Sequence, residues 1–267
     1  MDHFPGTHWG KPRDESVDLY NTYPIHAASR EHVAARAHAG VQRTQAPIVT
    51  GTSVLAFHYK DGIIMAADNL ASYGSLARFK DIQRLVPVGA FTVIGGGGDM
   101  SDLQHITHRL ESLIIDELCE EDGHALGPNE IYEYLSQLMY GRRSKMDPLW
   151  NSLLVGGYKD GTPFLGYVDL QGTTYTASTL ATGYGSMIAQ PLLRKYVEGR
   201  ETTLAEEEAR QIMEDCMKVL FYRDARSLNK YQIATVTAKG ISISESLSAP
   251  TEWSFAEQIR GYGAQTQ

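Results

Sequence analysis

The chain has 267 residues, of which 42% are hydrophobic and 21% charged, and a net charge of −8 at neutral pH. This length and apolar content suit one large globular domain or two small ones. The acidic balance excludes the clustered basic face of a nucleic-acid footprint, and no apolar run approaches the roughly 20 residues that span a bilayer.

Residues 1–43 hold three prolines, scattered histidines and few large aliphatic side chains, too little apolar surface to offset the entropy of ordering. A disordered leader is predicted, with at most a few helical turns over Ser29–Ala39. A propeptide and a plain floppy terminus both fit. Cys119 and Cys216 fall in helix-like windows, and the N-terminus has no apolar signal core. Together they predict a reducing compartment, cytoplasm and nucleus.

Ser53–Tyr59 and the apolar run Ile63–Ala67, joined by Lys60-Asp61-Gly62, read as a β-hairpin. The second strand is apolar on both faces, so it is predicted to be central, and it delivers Asp68 at its tip. A third strand is expected at Phe91–Ile94, before Gly95-Gly96-Gly97-Gly98 and a helix. Glycines ahead of a helix can cradle phosphate, but the dinucleotide spacing and the Walker lysine are missing. Close backbone approach, with Asp99 or Ser101 as N-cap, is the other reading.

Helices are predicted over Ser101–Glu121 and from Pro128 to about Lys145, each with one apolar stripe. His105 and His108 on the first lack a third ligand and are read as solvated. A hairpin over Leu149–Tyr158 and Pro163–Leu170 and a strand at Thr174–Thr176 follow. Helices over Met187–Val197 and Leu204–Tyr222 precede two closing strands, Gln232–Thr237 and Ile241–Glu245. Strands, two helices, strands, two helices, strands imply an α+β fold, a four-layer αββα sandwich over residues 44–247. In the remaining 248–267, Trp253, Phe255, Ile259 and Tyr262 stand among polar residues, so part of the tail is predicted to be buried against something.

The words GTSVLAFHYKDGIIMAAD, DNLASYGSL, RRSKMDPLWNSLLV and TLATGYGS resemble proteasome beta-type subunits, and most of all their non-catalytic members. The likeness runs from about Gln45 to Ala238. It implies the N-terminal nucleophile hydrolase fold. In active relatives a cut Gly–Thr bond frees a threonine whose own amine is the base, and a lysine lowers the hydroxyl's pKa. By that likeness Thr52 takes the nucleophile position, Asp68 and Asp224 the two aspartates, Ser227 a supporting serine, and Gly95-Gly96 an oxyanion-type donor.

Two positions depart from the active pattern. Arg84 stands where the lysine would be, and a guanidinium does not exchange its proton near neutrality; an ion pair with Asp68 is expected instead. Tyr184 stands where a serine would be, and its bulk is expected to fill the proton-relay space. The likeness also implies trimming between Arg43 and Thr44, which leaves Thr52 in amide linkage. The expectation is a catalytically silent subunit with vestigial Thr52, Asp68, Arg84, Tyr184, Asp224 and Ser227. It would use no metal or other cofactor, and bind no nucleic acid or membrane. Its partners would be alpha- and beta-type subunits in stacked seven-membered rings, with assembly chaperones besides. Trp253, Phe255, Ile259 and Tyr262 would anchor the tail in the facing ring. The alternatives are an active threonine endopeptidase using Thr52 and a free-standing nucleotide-binding module.

Overall fold

The computed structural model describes residues 46–254. The leader (1–43), the Arg43–Thr44 trimming position, and Phe255, Ile259 and Tyr262 lie outside them. Strand β1 (Val49–Gly51) is followed by the hairpin β2 (Val54–Tyr59) and β3 (Gly62–Asp68). Side chains alternate across a strand, and here both sets are buried. Leu55, Phe57, Ile64 and Ala66 join one apolar cluster, while Val54, Ala56, Ile63, Met65 and Ala67 join another. The continuous apolar run of β3 is thus a strand covered on both faces.

Strands β4 (Ala71–Tyr73), β5 (Leu76–Phe79), β6 (Leu85–Val88) and β7 (Thr92–Asp99) lead into helix α1 (Met100–Glu120). The third strand, expected to end at Ile94, is corrected: as β7 it runs straight through all four glycines to Asp99. A methyl group on Gly96 would lie 2.3 Å from Leu103 Cδ1, so glycine lets α1 press on the strand. The Asp99 carboxylate caps α1 by accepting the Ser101 and Asp102 N–H groups. Helix α2 (Pro128–Ser144) begins on Pro128, with Glu130 closing a hydrogen bond back to the Gly127 N–H at 2.8 Å.

Beyond it come β8 (Asn151–Lys159), β9 (Thr162–Val168), β10 (Thr174–Thr176) and β11 (Thr179–Ala181). The single helix expected over Met187–Val197 is two, α3 (Gly185–Ile188) and α4 (Gln190–Val197). Pro191 has no N–H to continue the first ladder, yet fits the first turn of the second. Helix α5 (Glu206–Arg223), β12 (Tyr231–Thr237) and β13 (Gly240–Ile243) are the last of these elements among the described residues.

Among the described residues, two antiparallel sheets result. One has the order β10-β9-β8-β7-β1-β4-β5, with β6 also on β7, and the other β11-β2-β3-β12-β13. Leu85, Val93, Leu154 and Leu165 of the first meet Val54, Met65 and Val236 of the second in one apolar cluster. A second cluster joins the first sheet to α1 and α2, and a third joins the second sheet to α4 and α5. Thr52 and Ser53 link the sheets, because β1 belongs to one and β2 to the other.

Candidate functional site

That crossing point is where the polar groups converge. Arg84 precedes β6 and is 1% exposed; Asp68 ends β3 and is 2% exposed. All three guanidinium nitrogens donate. Nε donates to Asp68 O (2.8 Å), Nη1 to Thr52 O (2.7 Å) and Gly96 O (3.2 Å), and Nη2 to Ser53 O (2.9 Å) and to the Asp68 carboxylate. The second Asp68 oxygen accepts the Leu228 N–H at 2.9 Å. Burial pushes the Asp68 carboxyl up from its ordinary range, while the Arg84 charge and the Leu228 N–H pull it down. An ionised Asp68 is what neutralises the buried guanidinium.

Thr52 Oγ1 donates to Asp224 Oδ2 at 2.5 Å, and Asp224 Oδ1 accepts the Arg226 N–H at 2.9 Å. Asp224 is the C-cap of α5, so the helix end fixes its height. Ser227 joins neither Thr52 nor Asp68. Its hydroxyl donates to Asp224 O at 2.7 Å and ties the turn that leaves α5. The Gly96 N–H donates to Arg84 O at 3.0 Å, so this donor is already engaged in the sheet.

The expectation for Tyr184 is corrected. Its side chain is 58% exposed and does not line the hollow around Thr52. Only backbone approaches: the Gly185 N–H donates to Ser53 Oγ at 2.8 Å. Residues that sequence reasoning missed are Ser53, which acts through its carbonyl and its hydroxyl, and Leu228, which acts through its N–H. Ser53 carried one signal, a hydroxyl at the start of a strand buried on both faces.

The hollow lined by Thr52, Ser53, Asp68, Met217, Leu220, Asp224, Ser227 and Leu228 has a volume of about 10 Å³, room for about one water molecule. Arg84 spends its donors on main-chain carbonyls and Asp68, and each Asp68 oxygen accepts one hydrogen bond. Thr52 reaches a carboxylate, yet its nitrogen is in a peptide bond to Gly51, whose strand is paired on both sides. Thr50 and Gly51 face Asp99 and Gly98 of β7, while Val49 and Thr50 face Tyr73 and Ser72 of β4.

A larger groove of about 600 Å³ lies at the far end of β2, lined by His58, Tyr59, Lys60, Phe164, Ser178 and Glu201 among others. Burial lowers the His58 pKa, against an opposing pull from Glu201. His105 and His108 are exposed, and among the described residues no cluster of histidine, cysteine or carboxylate could hold a metal. No described helix is long and apolar enough to cross a membrane. Trp253 packs edge-on against Phe221 and Tyr222 of the same chain, at 6.0 and 5.0 Å, and is 43% exposed.

Residues 48–236 match the family model described as proteasome subunit. The chain is 49% identical over 261 residues to the probable proteasome subunit beta type-7 of Schizosaccharomyces pombe, covering 97% of this chain and 96% of that one. It is 49% identical over 222 residues to proteasome subunit beta type-4 of Xenopus laevis (83% and 91%). With proteasome subunit beta type-7 of Saccharomyces cerevisiae it shares 43% over 275 residues (99% and 99%).

Proposed function

Because this chain belongs to the proteasome subunit family, among beta-type relatives, we propose that it is a catalytically silent beta subunit of the proteasome core particle. Its task is to complete a seven-membered ring of alpha- and beta-type neighbours and to support assembly, in cytoplasm and nucleus. The three apolar clusters support a four-layer αββα sandwich of the N-terminal nucleophile hydrolase type. The observation that carries the reading is the guanidinium of Arg84. It occupies the position where the resemblance expects a proton-exchanging lysine, and its donors are spent on main-chain carbonyls and Asp68.

One observation favours the enzyme reading, the Thr52–Asp224 hydrogen bond. While Thr52 stays joined to Gly51 its nitrogen is an amide that accepts no proton, so the amine base of active relatives is lacking. The tail is a further part of the proposal. Trp253 is seated on its own helix, with an exposed flank left for a contact from the facing ring.

Replacing Thr52 by alanine in the assembled particle tests the reading. Every peptidase specificity is expected to persist. Loss of one whole specificity, with the particle intact, would establish Thr52 as a nucleophile.

A further inference from the structure

The peptide that joins β1 to Thr52 lies directly on the buried guanidinium. A methyl group on Gly51 would lie 2.7 Å from Arg84 Cδ and 3.0 Å from Nη1, so the approach demands glycine. The next carbonyl, Thr52 O, accepts from Nη1 at 2.7 Å. Upstream, β7 and β4 hold the edges of β1, and the Ile48 N–H donates to Asp99 Oδ2 at 2.8 Å. Side chain and sheet therefore grip the same stretch.

We propose that Arg84 and β1 form a retention lock, in which the guanidinium is matched to an uninterrupted, uncharged Gly51–Thr52 peptide, so that a chain beginning at Thr52 is unstable. Hydrolysis of that bond breaks its C–N link, places hydroxyl on the Gly51 carbonyl carbon and leaves a proton on the Thr52 nitrogen. An α-ammonium group, with a reference pKa of about 7.7–8.0, is largely charged at neutral pH. It would be a second cation on the residue whose carbonyl Arg84 Nη1 holds; Asp224, on Thr52 Oγ1, offsets part of its charge, but like charges repel strongly where water is excluded. Departure of β1 would also open the slot between β4 and β7 and leave both edges unpaired. The inference deepens the silent-subunit reading and rests on it for the continuity of the chain upstream of Thr52.

The test uses cells whose only copy of the subunit is released from an N-terminal ubiquitin fusion to begin at either Thr44 or Thr52. The share of each form in purified particles is then measured. The Thr52 form is expected to be incorporated about tenfold less well, a factor within reach of a small change in folding equilibrium. In a neutral background, Arg84→Met with Asp68→Asn, the difference should shrink several-fold. Equal incorporation of the two forms in the native background would overturn the lock. So would an undiminished gap in the neutral background, because the sheet alone would then account for it. Gly51→Ala in the otherwise native chain keeps the question open to test if the neutral background fails to fold. It is expected to lower incorporation, and unchanged incorporation would show slack between Gly51 and Arg84 and overturn the lock too. Peptide hydrolysis by any particle holding the Thr52 form judges the silent reading separately, since new activity there contradicts silence whatever the incorporation.

Discussion

At one end of β2, Thr52 and Ser53 meet Arg84, Asp68 and Asp224 around a hollow of about 10 Å³, whereas at the other end His58 and Lys60 line an open groove of about 600 Å³. The large space holds His58, Lys60 and Glu201, with the Ser178 side chain hydrogen-bonded to Glu201. The small one has a hydroxyl on a carboxylate and a buried ion pair, with almost no room for anything else. The site that the sequence marks as chemical is therefore a tightly packed polar knot, and the open cavity lies elsewhere.

The largest effect should separate the two ends. Asp68→Ala leaves a charged guanidinium buried without its partner, which costs on the order of 3–5 kcal/mol when burial is deep. Thermal unfolding and incorporation into particles should both fall sharply. At the groove, Glu201→Gln should stay within about 0.5 kcal/mol, as surface changes usually do. Equal responses at both ends would erase the contrast.

Next in size is Gly96→Ala, on the strand that carries the knot. The added methyl would lie 2.3 Å from Leu103 Cδ1, and overpacking of a filled interior typically costs about 1–3 kcal/mol. Denaturant midpoints of wild type and variant would show it. No loss would mean that α1 can shift away from β7.

Much of this was legible in the sequence. The β2–β3 hairpin, α1, α2 and α5 follow from periodicity, because their buried faces are set by their own side chains. The Asp68–Arg84 pair was also legible, from its position within the resemblance. What was not legible has common causes. Glycine carries no apolar signal, so β7 read as ending at Ile94 although it continues to Asp99. Strands β1, β4, β5 and β11 are three or four residues long and owe their state to neighbours rather than to their own pattern. Ser53 accepts from Arg84 through its C=O and Leu228 donates to Asp68 through its N–H, backbone groups that nearly every residue type shares.

Acid sharpens the comparison from the groove side. The folded-state pKa of His58 lies below its ordinary 6.5 because burial disfavours the charged ring, with Glu201 opposing. The unfolded chain thus binds the proton more readily than the folded one. Stability from this group is complete above pH 6.5 and declines as pH falls from there toward the folded pKa. His58→Gln should flatten that part of the stability–pH curve, measured by thermal unfolding. An unchanged slope would assign the acid sensitivity to other groups.

The smallest effect is expected at Tyr184, and it tests the silence proposed for Thr52. If the tyrosine blocked a proton relay, Tyr184→Ser should awaken hydrolysis at Thr52. The side chain is instead 58% exposed at the start of α3, and only the backbone of its neighbour Gly185 reaches Ser53. Shortening an exposed side chain leaves the knot untouched: Arg84 still holds the Thr52 and Ser53 carbonyls, and the Thr52 nitrogen is still an amide. Tyr184→Ser is therefore expected to change stability by less than about 0.5 kcal/mol and to add no peptidase activity to the particle. Fluorogenic peptide assays on purified particles, with the catalytic threonines of the other subunits inactivated, would read this directly. Activity appearing in that background would show that Thr52 can act beside Arg84 once the bulk of Tyr184 is removed.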